Sequence, residues 1–142
     1  MLIRQPVSVK FILTEDAKQQ ILTENRRQVE HLSTEIDQIE QQGRQLLEQA
    51  MAQGGNAAQE LRARLDEEKN NRLQQREQLI QQIQQIQQTE LGTEIQNMTV
   101  ETSVDVRAGD DWTKVLRGAE IIIKDGVIHE VRQGGEVIDR LS

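Results

Sequence analysis

The chain has 142 residues, 24 of them acidic against 17 basic, for a formal net charge of -7, and it contains no cysteine. That balance works against a nucleic-acid or anionic-membrane partner held by bulk electrostatics. With an aromatic content of 1%, Phe11 and Trp112 alone, there is no stacking platform for single-stranded nucleic acid. The missing cysteines remove disulfides, thiolate zinc sites and cysteine nucleophiles together, which suits a reducing compartment. The amino terminus Met1-Leu2-Ile3-Arg4-Gln5-Pro6 lacks the apolar core of a secretory signal, and no apolar run approaches ~18 residues. The expectation is a cytoplasmic, soluble protein without membrane association.

Val7, Val9, Phe11 and Leu13 alternate with Ser8, Lys10 and Ile12, which predicts a strand over residues 6–13 with Pro6 at its start, where a missing amide costs least. Residues 14–91 then predict two long helices folded back on each other at Gln53-Gly54-Gly55-Asn56. Apolar residues of the first arm recur at steps of three and four, through Leu22, Val29, Leu32, Ile36, Ile39 and Leu46 to Ala50, the pattern of a coiled-coil seam. Thr14 supplies a capping hydroxyl, with Glu15 and Asp16 in the first turn. Gly54 and Gly55 end that helix, and Asn56 with Gln59 starts the next.

In an antiparallel hairpin, facing residues have numbers that add to a constant. A sum near 112 sets Leu46 against Leu65, Ile39 against Leu73, Leu32 against Ile80 and Val29 against Ile83. The seam is interrupted by Gly43 on the first arm and by Lys69, Arg72 and Arg76 on the second, with Asp37, Glu40 and Glu48 as acids within reach. Towards the end of the second arm, Ile80, Ile83 and Ile86 step by three among glutamines and therefore fan around a helix that turns every 3.6 residues.

Past Gly92 the period changes to two. Met98, Val100, Thr102, Val104 and Val106 alternate with polar residues and predict a strand. Asp110 or Asp111 is expected to cap a short turn that carries Trp112 into the core. Residues 119–132 form a hairpin around Asp125-Gly126, the preferred pair for a type I′ turn. An unbroken register sets Ile123 against Ile128 and Ile122 against His129, so that Ile122, Val127 and Val131 share one face. Val137, Ile138 and Leu141 predict a last short strand or an interface segment.

The fold class expected is α+β: a long antiparallel coiled-coil hairpin (residues 14–91) inserted between an N-terminal strand (1–13) and a small C-terminal antiparallel β body (92–142). His31 and His129, the two histidines, have no nucleophile or metal partner at recognisable spacing, and phosphate-loop and dinucleotide glycine patterns are absent. No catalytic, cofactor or metal residues are assigned, and the protein is not expected to be an enzyme.

Val9-Lys10-Phe11-Ile12-Leu13-Thr14-Glu15, together with Gly109-Asp110-Asp111-Trp112 and the stretch from Ile121 to Arg132, resembles the bacterial YlqD family. The resemblance runs from end to end up to Arg132, leaving the tail outside it. It implies no reaction, cofactor or catalytic residue, and some family members are encoded near ribosome-maturation genes. The function expected is a non-enzymatic protein-protein interaction, scaffold or chaperone-like role, with projecting helical arms and a β body that assembles copies of the chain. The alternative is an accessory factor associated with ribosome assembly or RNA processing, in which Arg62 and Arg64 extend a basic strip with Lys69, Arg72 and Arg76. Candidate interaction residues are Ile122, Val127, His129, Val131, Lys69, Arg72 and Arg76. The partners expected are further copies of the chain and an unidentified protein, with no direct nucleic-acid contact.

Overall fold

The computed structural model describes every residue from Met1 to Ser142 and divides into two compact units, one of Met1–Gln19 with Thr89–Ser142, the other of Gln20–Gln88. In chain order the elements are β1 (Leu2–Ile12), α1 (Glu15–Gln53), α2 (Ala57–Gln88), β2 (Glu94–Asp105), α3 (Trp112–Arg117), β3 (Ala119–Lys124), β4 (Val127–Gln133) and β5 (Glu136–Arg140).

The first unit is a five-stranded sheet in the order β2-β1-β3-β4-β5. Every pairing is antiparallel except β1 with β3, which is parallel, so the body is mixed and not purely antiparallel. The cause lies in the connection. β2 returns beside β1, and α3 then carries the chain to the other side of β1, so β3 runs in β1's own direction.

Strand β1 begins at Leu2, which puts Pro6 in its middle and not at its start. Proline is accommodated because pairing with β3 begins only at Val7↔Ala119, so the missing amide falls just before that ladder starts. Beside it the carbonyl of Pro6 comes so near Gly118 that a Cβ there would lie 3.0 Å away, and Gly118 has φ 69°, so both space and backbone call for glycine. Val7, Val9, Leu13 and Ile122 form the buried core. The Leu13 N–H donates to Thr93 and its carbonyl accepts from Gly92, both at 2.9 Å.

The Asp125-Gly126 turn has φ 49° and 81°, the positive pair that type I′ requires. Beyond it the register departs from the expectation. Ile123 faces Ile128, but a bulge between Ile122 and Ile123 sets Ile122 against Glu130 and Ile121 against Val131. A bulge adds one residue to one strand and so exchanges the faces of everything after it. Val131 therefore joins Ile121, and Glu130 and Arg132 take the opposite face with Ile122. In α3, Asp111 caps the helix by accepting from the Thr113 and Lys114 amides at 2.9 and 3.4 Å. Trp112 is 61% exposed, not in the core: in so short a helix it is Val115 that is half-buried, while Trp112 and Leu116, one turn apart, stay outside.

In the second unit, α1 has 39 residues and α2 has 32, or roughly 58 and 48 Å at the usual helical rise. The capping hydroxyl of Thr14 accepts from Ala17 N–H at 3.1 Å. Facing pairs have numbers that add to 107–109, not 112: Gly43 meets Leu65, Glu40 meets Lys69, Glu35 meets Arg72 and Ser33 meets Arg76. The constant follows from the turn, which is centred between Gly54 and Gly55, both at positive φ. Leu46 is consequently 46% exposed, and Gly43 takes the buried place, with its missing side chain making room for Leu65.

Candidate interaction surfaces

One face of the sheet is ionic. Lys10 on β1, Glu94 on β2, Glu120 on β3 and Glu130 with Arg132 on β4 have side chains on the same side, because alternation along each strand and the β4 bulge bring them there. Arg132 is the hub. Its guanidinium binds Glu94 at 2.5 Å, Glu120 at 3.2 Å and also Glu130. Glu130, only 5% exposed, is held in addition by Arg140 of β5 at 2.6 Å, and Lys10 binds Glu120 at 3.1 Å.

The charges follow this geometry. The Arg140 guanidinium, with Arg132 adding to it, holds the Glu130 carboxyl below its usual range against the opposing effect of burial. Arg132 does the same to Glu94, and Glu94 in turn raises the guanidinium of Arg132. All three shifts move away from neutrality, so these groups are fixed in their charged forms and unsuited to exchanging protons near neutral pH. The arrangement is a clasp across β2, β3, β4 and β5.

Ile122, expected at an interface, lies buried with Lys10 and Glu130 as its ladder neighbours. Val127 is 56% exposed beside the turn. His129 is the half-buried residue of the bulge, and its carbonyl accepts from Leu141 N–H at 2.8 Å, which seats the tail beside β4. Val131 is half-buried on Ile121's face. Val127, paired with Lys124, therefore keeps Ile122's face as the strand pattern expects, whereas Val131 leaves it and His129 becomes the bulge residue. The acids that precede Trp112 are engaged in holding backbone: Asp110 accepts from Arg107 N–H at 2.8 Å and Asp111 caps α3.

On the hairpin, Lys69, Arg72 and Arg76 all fall on the seam of α2. Lys69 binds Glu40 at 2.6 Å, Arg72 binds Glu35 at 3.4 Å, and Arg76 donates to the Ser33 hydroxyl at 3.2 Å. Lys69 also holds the Glu40 carboxyl below its usual range. His31 bonds Glu35 at 3.0 Å from the other side. These cations are occupied by α1 and do not form a free row of charge with the exposed Arg62 and Arg64. Beside them Gln28, His31, Leu32, Glu35, Gln75 and Leu79 line an open groove of about 430 Å³.

Sequence reasoning missed Glu94, Glu130, Arg132 and Arg140. The signal for part of this was local: Glu130 and Arg132, two apart on a strand, necessarily share a face.

A five-stranded mixed sheet whose first two strands are separated in sequence by a long helical hairpin defines an α+β protein of one specific architecture. The chain belongs to the YlqD family: the family model described as YlqD protein matches residues 1–132. Among its relatives is a protein of Bacillus subtilis (strain 168) named Uncharacterized protein YlqD, 28% identical over 128 residues and covering 89% of this chain and 94% of the relative. The fold is shared with a crystal structure of a protein of unknown function from Synechococcus sp. WH 8102, with a TM-score of 0.73 at 20% identity, covering 94% of this chain and 95% of that one. Strand β5, which supplies Arg140 to the clasp, lies beyond the residues that the family model matches.

No helix is long and apolar enough to cross a membrane.

Proposed function

We propose that this is a non-enzymatic interaction protein in which the β unit assembles copies of the chain and the helical hairpin offers a binding surface to a second protein. One observation carries the reading. α1 buries Leu22, Leu32, Ile36, Gly43 and Ala50, whereas α2 buries no residue at all. Leu65, Leu73, Leu79, Ile80, Ile83 and Ile86 stay half-exposed along α2, because one facing helix covers only a narrow stripe of it. The surplus apolar surface suits a further amphipathic helix, lying over leucine and isoleucine with glutamines on either side.

A photo-crosslinking amino acid placed at Leu73 or Ile80 tests this in cells expressing the protein. Adducts to another protein at these positions, and none at the exposed Gln84, are expected. Adducts confined to the chain itself would refute the reading.

A further inference from the structure

The two edges of the sheet are built differently. β5, at one edge, has 5 residues and carries Glu136, Asp139 and Arg140. A short, charged strand is the usual protection of an edge against pairing with another chain. β2, at the other edge, has 12 residues and contains no lysine, arginine or proline. Its three carboxylates are already neutralised within the chain: Glu94 by Arg132, Glu101 by Arg4 at 3.6 Å, and Asp105 by the Met1 amino group at 3.0 Å and by Arg107 at 3.1 Å. Beside these acids Val100 and Met98 are 41% and 53% exposed.

The open part of the edge can be located. In an antiparallel ladder each residue turns both its N–H and its C=O towards the same neighbour, and the next residue turns them away. Val106 N–H donates to Met1 C=O, so Val104, Thr102 and Val100 serve β1, and Thr99, Glu101, Ser103 and Asp105 turn outward. Towards the other end, a bulge opposite Val9 and Lys10 and the Gln96 amide, bonded to the Met98 carbonyl at 3.0 Å, close the strand. Within residues 99–105 the outward N–H and C=O groups of Thr99, Glu101, Ser103 and Asp105 are left without a neighbouring strand.

We infer that this stretch pairs with the same stretch of a second copy about a two-fold axis at Thr102, joining two sheets into one. The inference rests on the self-assembly part of the proposed function and assigns its surface. A two-fold places the same strand on both sides, and this register is chosen by charge. Glu101 faces Ser103 of the second copy and Asp105 faces Thr99, so no carboxylate meets a carboxylate, whereas an axis at Glu101 would set that acid against itself. On the ionic face, Arg4 is the β1 neighbour of Ser103. Its side chain, 84% exposed, then stands across a small serine from Glu101 of the second copy, an attraction that the two-fold repeats. On the other face Val100 meets Val104 and Thr102 meets Thr102.

Because the chain has no native cysteine, Thr102→Cys is a clean probe. At a non-hydrogen-bonded pair on the axis, the two Cα atoms approach to about 4.5 Å, within disulfide reach. Mild oxidation of the folded full-length variant is expected to give a covalent dimer, and Thr99→Cys is expected to give far less. Ser103→Pro removes an outward donor while sparing the β1 ladder, and is expected to weaken the dimer by at least about tenfold in native mass spectrometry with an unchanged circular dichroism spectrum. Glu101→Arg is expected to weaken it as well, and Arg4→Glu in the same chain to restore it. A wild-type dimer that forms no Thr102→Cys cross-link and ignores Ser103→Pro overturns the edge while leaving self-assembly standing. A chain that stays monomeric at micromolar concentration, whether or not its edge accepts an extended peptide, overturns both.

Discussion

Truncating Ile122 to alanine separates a core residue from an interface residue. Ile122 is 1% exposed, with Lys10 and Glu130 as its ladder neighbours on the clasped face of the sheet. Removing buried methyl groups at such a site costs the transfer energy and leaves a cavity, about 2–5 kcal/mol for alanine and about 0.5–1.5 kcal/mol for valine. For a unit of this size each kcal/mol lowers Tm by roughly 4–8 °C, so Ile122→Ala lowers it by about 8–40 °C. Val127, 56% exposed, supplies the contrast, and Val127→Ala stays within about 0.5 kcal/mol of wild type. Urea unfolding of the full chain followed by Trp112 fluorescence reads this unit alone, because Trp112 is the single tryptophan and lies in it. If Ile122→Ala unfolded at the wild-type urea concentration and changed only the oligomeric state, Ile122 would be an interface residue and its place in the core would be wrong.

Glu94 and Glu130 have folded-state pKa values below the usual 4.5, so their contribution to stability is present above that value and is lost as pH falls through the lowered one. Arg132→Met is expected to lower the urea midpoint at neutral pH and to flatten its decline in acid; an equally steep decline would show that the clasp does not govern it. Gly43→Ala gains about 1 kcal/mol of helix propensity, and the added Cβ meets the side chain of Leu65, whose flexible Cδ1 at 2.9 Å rotates aside. Gly43→Leu overfills the same place, costing about 1–3 kcal/mol. Helical melting of the two variants in opposite directions confirms that the seam runs through Gly43, and equal melting contradicts it. Asp111→Ala removes the cap of α3 and is expected to cost about 1 kcal/mol in urea unfolding, an effect that Asp111→Asn should largely avoid.

Most of the architecture was legible because the two periodicities are strong and the turn chemistry is local. Steps of three and four from Leu22 to Ala50, the period-two run from Met98 to Val106, and Asp125-Gly126 each report on their own neighbourhood. Register was less legible. The pairing of apolar residues favoured a hairpin sum near 112, but the geometry of Gly54-Gly55 decided it, and the cost fell on Leu46, which gave up its buried place to Gly43. In the same way a single extra residue at His129 moved Val131 from Ile122's face to Ile121's, and no pattern in the strand announces a bulge. The parallel pairing of β1 with β3 depends on where α3 carries the chain, which is a property of the whole sheet. The clasp was missed for the same reason, since Glu94 and Arg132 are 38 residues apart and meet only after three strand pairings are known.

The hairpin as working surface is tested most directly by two baits in native lysate, one intact and one lacking residues 25–38 and 71–84, which include Leu73, Leu79, Ile80 and Ile83. That deletion takes two heptads from each arm, keeps the turn at 53–56 and preserves the facing constant of the remaining pairs. A protein recovered by the intact bait and lost with the shortened one, while the β unit still unfolds at the wild-type urea concentration, is the expected result. Equal recovery of every protein and RNA by both baits would contradict it and move the binding function to the sheet.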